Sequence, residues 1–260
     1  MTAVVDSQDI GVLSKAFLVL EMFGPTRRTL SLSEITRRSG LPKTTTHRVL
    51  QQMLAVGAIE RVGDDYHVGT RMFALSSPSR ESVIREVALP HLHELGRRYG
   101  HTLHLATLCD NDVLYLAKLQ HRATADSPSA VGTRLPAHCT AAGKALLAYQ
   151  LSPETLTRLY EQPLDWRTNA SITSPDRLAK ALMSIRELGF ATDHEEAAVG
   201  LRCVAVPVKI ANLAVAAISI AYAATHELPK DRLLALQDSA ARIARRLTHV
   251  PGYPHILGIR

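Results

Sequence analysis

Apolar positions in the first quarter of the chain recur at three- and four-residue steps, with Gly and Pro interrupting them at short intervals. Between Ile10 and Phe23 they fall at 10, 13, 16, 17, 20 and 23, one helical face, which Gly24-Pro25 ends. Ser31 followed by Glu34 is a capping-box start for a short second helix, and Ser39-Gly40 is its stop. Pro42 stands in the first turn of a third helix, whose inward stripe is Thr46, Val49, Leu50 and Met53 and whose end is Gly57. Residues 58–62 and 66–68 then alternate around Gly63-Asp64-Asp65, the pattern of a hairpin. Two helices with a Gly turn between them, followed by a hairpin, predict a winged helix-turn-helix over residues 8–76.

The pattern changes after the breaker run Ser76-Ser77-Pro78-Ser79. A linker helix is expected over 77–100, with Val83, Val87, Leu92 and Leu95 on one face and Pro90 as the place for a kink. Strands are expected at 102–108, 112–118, 203–208 and 213–222, the last two joined through 209–212. Helices are expected at 140–150, 152–161, 174–188 and 231–248. The chain thus reads as α+β in two domains, the second spanning 101–250 before a tail at 251–260.

Composition narrows the class. With 260 residues, 46% hydrophobic and 21% charged, the chain can bury a sizeable core and is neither wholly disordered nor collagenous. Its most apolar run, Leu213 to Ala224, is 12 residues, against the roughly 20 that a bilayer needs. Cysteines at 109, 139 and 203 lack the spacing of a disulfide framework or a zinc site. A cytoplasmic protein without a membrane partner is expected.

Charge is concentrated. Of the net +6, residues 27–48 hold +5, from Arg27, Arg28, Arg37, Arg38, Lys43 and Arg48 against Glu34 alone. Such a patch supplies the phosphate contacts that DNA binding needs. If the third helix buries 46, 49, 50 and 53, then Thr44, Thr45, His47, Arg48 and Gln51 project the other way. The N-terminal part of that helix is where a helix-turn-helix reads the major groove. Arg48 suits guanine, the Thr hydroxyls suit phosphates or base edges, and Arg61 on the hairpin adds a further cation.

The run from Leu30 to Leu75 resembles the DNA-binding domain of the IclR family of bacterial transcriptional regulators. Leu41-Pro42-Lys43-Thr44-Thr45, His47-Arg48, Gly57 and Tyr66 to Gly69 carry the likeness. Gly132 to Ala145 resembles the same family's G-x-x-L-P-x-H-A-T/S-A-x-G-K-A loop, and Asp193 to Cys203 its acidic run before Gly-Leu-x-Cys. The hairpin between 203 and 222 departs from the family in lacking an Asp-Gly turn. The resemblance implies a GAF-like C-terminal domain that binds a small carboxylate or aromatic acid through Ala141, Ala142, Asp193, Leu201, Cys203 and Ser219. It also implies double-stranded operator DNA as partner, a repressor's role, and a homodimer or dimer of dimers.

Thr140 before Ala141-Ala142-Gly143 is a good N-cap, and a helix start with small side chains receives a carboxylate well. Asp193, taken as ionised, would accept from an effector hydroxyl or a water; Cys203 would be an apolar wall and Ser219 a donor. Catalytic patterns fail: Gly143-Lys144-Ala145 lacks the P-loop's Ser/Thr and upstream Gly, His194-Glu195 lacks its second His, and no G-x-S-x-G occurs. His138 beside Cys139 is expected to be hydrogen-bonded rather than metal-binding. Neither a cofactor nor catalysis is expected. Two other readings stay open: a small-molecule sensor or enzyme whose N-terminal module only dimerises, and a DNA-binding regulator whose pocket is purely structural.

Overall fold

Local signals in the sequence decide the element boundaries of a computed structural model of the chain, which describes residues 11–24, 27–121, 127–150 and 164–252. The chain divides into two units, Met1–Ser79 and Arg80–Arg260. The first contains α1 (Val12–Leu20), β1 (Leu30–Ser31), α2 (Leu32–Ser39), α3 (Lys43–Ala55), β2 (Ile59–Val62), β3 (Asp65–Val68) and α4 (Thr70–Ser76).

The capping box forms as the spacing predicts. Ser31 Oγ accepts the Glu34 N–H at 3.3 Å, and the Glu34 carboxylate accepts the Ser31 N–H at 3.0 Å. Those bonds favour the ionised carboxylate and hold Glu34 below the usual carboxylate range. Ser31→Ala is expected to cost about 1 kcal/mol of first-unit stability, read as a lower urea midpoint; an unchanged midpoint refutes this cap's contribution. Gly40, at φ +67°, takes the left-handed turn between α2 and α3. Pro42 lies one place earlier than expected: it is the N-cap of α3, and its carbonyl accepts the Thr46 N–H at 2.9 Å. The core joins Val19, Leu30, Ile35, Val49, Leu50, Met53, Ile59 and Tyr66. Two elements were not anticipated. The two-residue β1 pairs with β3 to make a three-stranded sheet, β1-β3-β2, and α4 follows it.

The second unit is built on a six-stranded antiparallel sheet in the order β6-β5-β4-β9-β8-β7. Its strands are β4 (Thr102–Cys109), β5 (Asp112–Leu119), β6 (Arg134–Pro136), β7 (Ala191–His194), β8 (Leu201–Ile210) and β9 (Leu213–Ala223). Helices α5 (Arg80–Tyr99) and α8 (Lys230–Thr248) cover one face through Ile84, Leu92, Leu105, Val206, Ile218, Leu236 and Ile243. Helices α6 (Ala141–Gln150) and α7 (Pro175–Leu188) cover the other through Ala106, Ala142, Leu146, Leu182, Ala205 and Ala217. Burial on both faces explains why β8 and β9 read as near-continuous apolar runs rather than alternating ones.

Three expectations need correction. The segment expected as a linker helix is, from Arg80 on, part of the second unit, and its buried stripe is Ile84, Ala88, Leu92 and Leu95, with Val83 and Val87 at the edge. The β8–β9 turn is Ala211-Asn212 alone, because Lys209 and Ile210 stay in the ladder. Strands β6 and β7, of three and four residues, were missed for want of a readable alternation. The helix expected at 152–161 lies outside the described residues.

Candidate functional site

In the first unit, α3 buries Thr46, Val49, Leu50 and Met53 and leaves Lys43, Thr44, His47, Arg48 and Gln51 exposed, with Thr45 half-buried. Arg37 is also exposed on α2, whereas Arg38 is half-buried. A convex cationic helix face with short hydroxyls fits a DNA groove. Arg61 is less free than the sequence suggests. Its Nε donates to the Gly63 carbonyl at 2.8 Å and its Nη2 to Asp64 at 3.0 Å, so its own turn partly neutralises it.

In the second unit, the sheet face under α6 encloses a small cavity. Its walls include all six residues that the family likeness implied: Ala141, Ala142, Asp193, Leu201, Cys203 and Ser219. Register explains their meeting, since Asp193 stands opposite Cys203, and Ser219 opposite His104. The remaining wall is His104, Tyr115, Ser127, Pro128, Leu135, Thr140 and Ala197. The space at its centre is about 10 Å³ for the centre of a water-sized sphere, room for about one water.

One end of the cavity is the start of α6. Thr140 Oγ1 accepts the Gly143 N–H at 3.0 Å and caps the helix, while the N–H groups of Ala141 and Ala142 precede any intrahelical acceptor. Gly143 is there because α6 lies against the 3-10 turn Ala137–Cys139: a Cβ would stand 2.2 Å from the Ala137 carbonyl oxygen. The other end is acidic. Asp193 is 2% exposed and accepts the Glu196 N–H at 2.7 Å. Glu196 is itself buried, in a hydrogen-bonded ion pair with the buried Lys144. Hydroxyls hold this loop in place: Thr168 Oγ1 donates to the Glu195 carbonyl and Ser171 Oγ to that of Glu196, each at 2.7 Å.

Burial overturns the expectation of a simply ionised Asp193. Desolvation, with the nearby Glu196 carboxylate, raises it to about 7, well above the usual carboxylate range. Desolvation also raises the thiols of Cys203 and Cys139, the latter to about 12, which keeps both protonated. The Tyr115 hydroxyl is likewise pushed up by burial. His104 is driven down to about 3, chiefly by burial and then by Lys118, and stays neutral, with Nε2 2.8 Å from Ser129 Oγ and Nδ1 3.4 Å from Ser219 Oγ. His138 donates from Nε2 to the Asp165 carbonyl at 2.8 Å. Among the described residues no cluster of His, Cys, Asp and Glu is placed to hold a metal ion.

Family models match both units: "IclR helix-turn-helix domain" over residues 12–63 and "Bacterial transcriptional regulator IclR C-terminal" over 79–248. The chain belongs to the IclR family of bacterial transcriptional regulators. Among IclR-family relatives it is 31% identical to the HTH-type transcriptional regulator XynR of Escherichia coli, over 93% of this chain and 97% of that one. It is 33% identical to the transcriptional repressor IclR of the same organism, over 74% and 72%. An IclR homolog from Microbacterium hydrocarbonoxydans, solved in complex with 4-hydroxybenzoate, superposes with a TM-score of 0.84 at 29% identity, covering 92% of this chain and 99% of that one. The two units are therefore an IclR-type helix-turn-helix domain and an effector-binding domain. No helix among the described residues is long and apolar enough to cross a membrane.

Sequence reasoning missed much of this IclR-type cavity wall. His104 and Tyr115 lie on β4 and β5 with nothing local to mark them. The Lys144–Glu196 pair joins positions 52 residues apart, which no spacing rule connects.

Proposed function

We propose that the chain is a ligand-responsive repressor that binds double-stranded operator DNA through α2 and α3. Its affinity is set by a small organic acid held in the cavity between the α6 N-terminus and Asp193, Leu201, Cys203 and Ser219. The observation that carries this reading is the convergence of those side chains on one cavity, in the same chain as an exposed cationic recognition helix. The IclR homolog solved with 4-hydroxybenzoate supports an acid as effector. Arg37, Lys43, Thr44, Thr45, His47 and Arg48 make the principal DNA contacts; Arg38 and Arg61 are secondary, since one is half-buried and the other tied to its turn.

We further propose a homodimer or a dimer of dimers as the binding species. Val12, Leu13 and Phe17 on α1 and Phe73 and Leu75 on α4 are large apolar side chains left exposed, Phe73 by 80%. Paired domains read paired half-sites about one helical turn apart.

Gel shifts on a duplex selected by the chain from a random pool test the DNA reading. Arg48→Ala is expected to weaken binding about tenfold, the loss of one good base or phosphate contact. Each phosphate neutralised contributes about −0.9 to the slope of log affinity against log salt. Undiminished binding by the variant, or a flat salt dependence, refutes this surface. A complex holding a single chain refutes the pairing.

A further inference from the structure

The charge balance of the cavity has to accommodate the acid that is proposed to enter it. Among the described residues, none of the thirteen that line the cavity is a lysine or an arginine. The buried cation nearby, Lys144, is already paired with Glu196, and that pair sums to zero. Two further cations stand beside wall residues without lining the cavity: Arg167, before α7, donates to the Ala197 carbonyl, and Lys118 on β5 donates to the Ser127 and Ser129 carbonyls.

The other titratable side chains of the wall are neutral, Cys203 opposite Asp193 on β8, Tyr115 on β5 and His104 on β4, as is Cys139 in the 3-10 turn. An ionised Asp193 would therefore leave the wall with one uncompensated negative charge. A ligand carboxylate would add a second, with no cation of the described wall to set against it. The partial positive end of α6, roughly half a charge, does not offset two carboxylates. Two carboxylates confined in this way share one proton.

We propose that Asp193 meets the effector as the neutral acid, its O–H donating to a carboxylate oxygen, so that each bound monocarboxylate brings one solvent proton into the site. Asp193 Oδ1 accepts the Glu196 N–H at 2.7 Å and the carboxylate also accepts the Ala197 N–H, two bonds that leave lone pairs on the carboxylate to carry the proton. The ligand carboxylate remains an anion and faces the α6 N-terminus. The site then holds one net negative charge after binding, as it does before binding with Asp193 ionised. On this account the cavity selects monocarboxylates over dicarboxylates, whose second charge has no proton to meet. The inference rests on the acid-effector reading above.

The test is calorimetric titration of the full chain with acetate, pyruvate, benzoate and 4-hydroxybenzoate, each in buffers of different ionisation enthalpy. At pH 8 an acid that binds is expected to take up about one proton, and at pH 6 close to none, since Asp193 already holds one there. Its affinity is expected to fall about tenfold from pH 6 to pH 8, because an ionised Asp193 must first be protonated. In Asp193→Asn, whose amide donates at every pH, that slope is expected to vanish. Binding at pH 8 without proton uptake, or a slope that persists in the variant, overturns the inference and leaves the acid-effector reading intact. Failure of all four acids at both pH values overturns the acid-effector reading and this inference together.

Discussion

Lys144→Met is expected to lower the stability of the effector domain by about 3–5 kcal/mol, the usual cost of stripping a buried ion of its partner. Met fills the space of the lysine stem but supplies no charge. Glu196 is left as a buried carboxylate whose Oε2 already lacks a hydrogen-bond partner among the described residues. Its backbone N–H is the donor to Asp193, so the damage reaches the cavity wall. Urea denaturation at pH 7 measures the loss. Adding Glu196→Met in the same chain is expected to restore most of it, because the penalty is the unpaired charge and not the missing attraction. A single variant with the wild-type midpoint would contradict the buried pair.

Gly143→Ala is expected to be comparably severe, at about 3 kcal/mol or more, for a steric reason. The added Cβ would lie 2.2 Å from the Ala137 carbonyl oxygen and 2.4 Å from its Cα. Both are backbone atoms, so relief requires moving α6 away from the turn that precedes it. Conversion of a helical Gly to Ala otherwise favours a helix by up to about 1 kcal/mol, so the sign of the change is diagnostic. A melting temperature at or above that of the wild type would show that α6 and the turn do not approach so closely. The lowered melting temperature expected here would come with weakened acid binding, since Ala141 and Ala142 move with the helix.

How far the sequence discloses this structure depends on whether the relevant signal is local. The capping box of Ser31 and Glu34, the left-handed Gly40 and the stripe 46, 49, 50, 53 are decided within a few residues, and they outline the recognition helix. Strands buried on both faces showed their place but not their ends, as with β8, which runs Leu201–Ile210 rather than 203–208. Short β6 and β7 carried no periodicity at all. The cavity residues came from family likeness, and chain spacing would not have assembled them: Ala141 and Ser219 are brought together by the packing of α6 on β9. Asp193 shows the deeper limit. Its identity was legible, but its ionisation depends on burial and on Glu196, three residues away in sequence and held beside it by the loop at 195–200.

On the proposed function, the tightness of the cavity has a consequence for the acid concentrations to which the protein would answer. Room for about one water means that an acid of several heavy atoms enters only when the walls have parted. The measured affinity is then the intrinsic one diluted by the fraction of chains already open: with about one in ten open, the apparent dissociation constant is about tenfold higher. A sensor built as proposed would ignore trace acid and respond once the acid accumulates. Its threshold would then be adjustable by side chains outside the wall, such as Thr168 and Ser171, whose hydroxyls bond the Glu195 and Glu196 carbonyls.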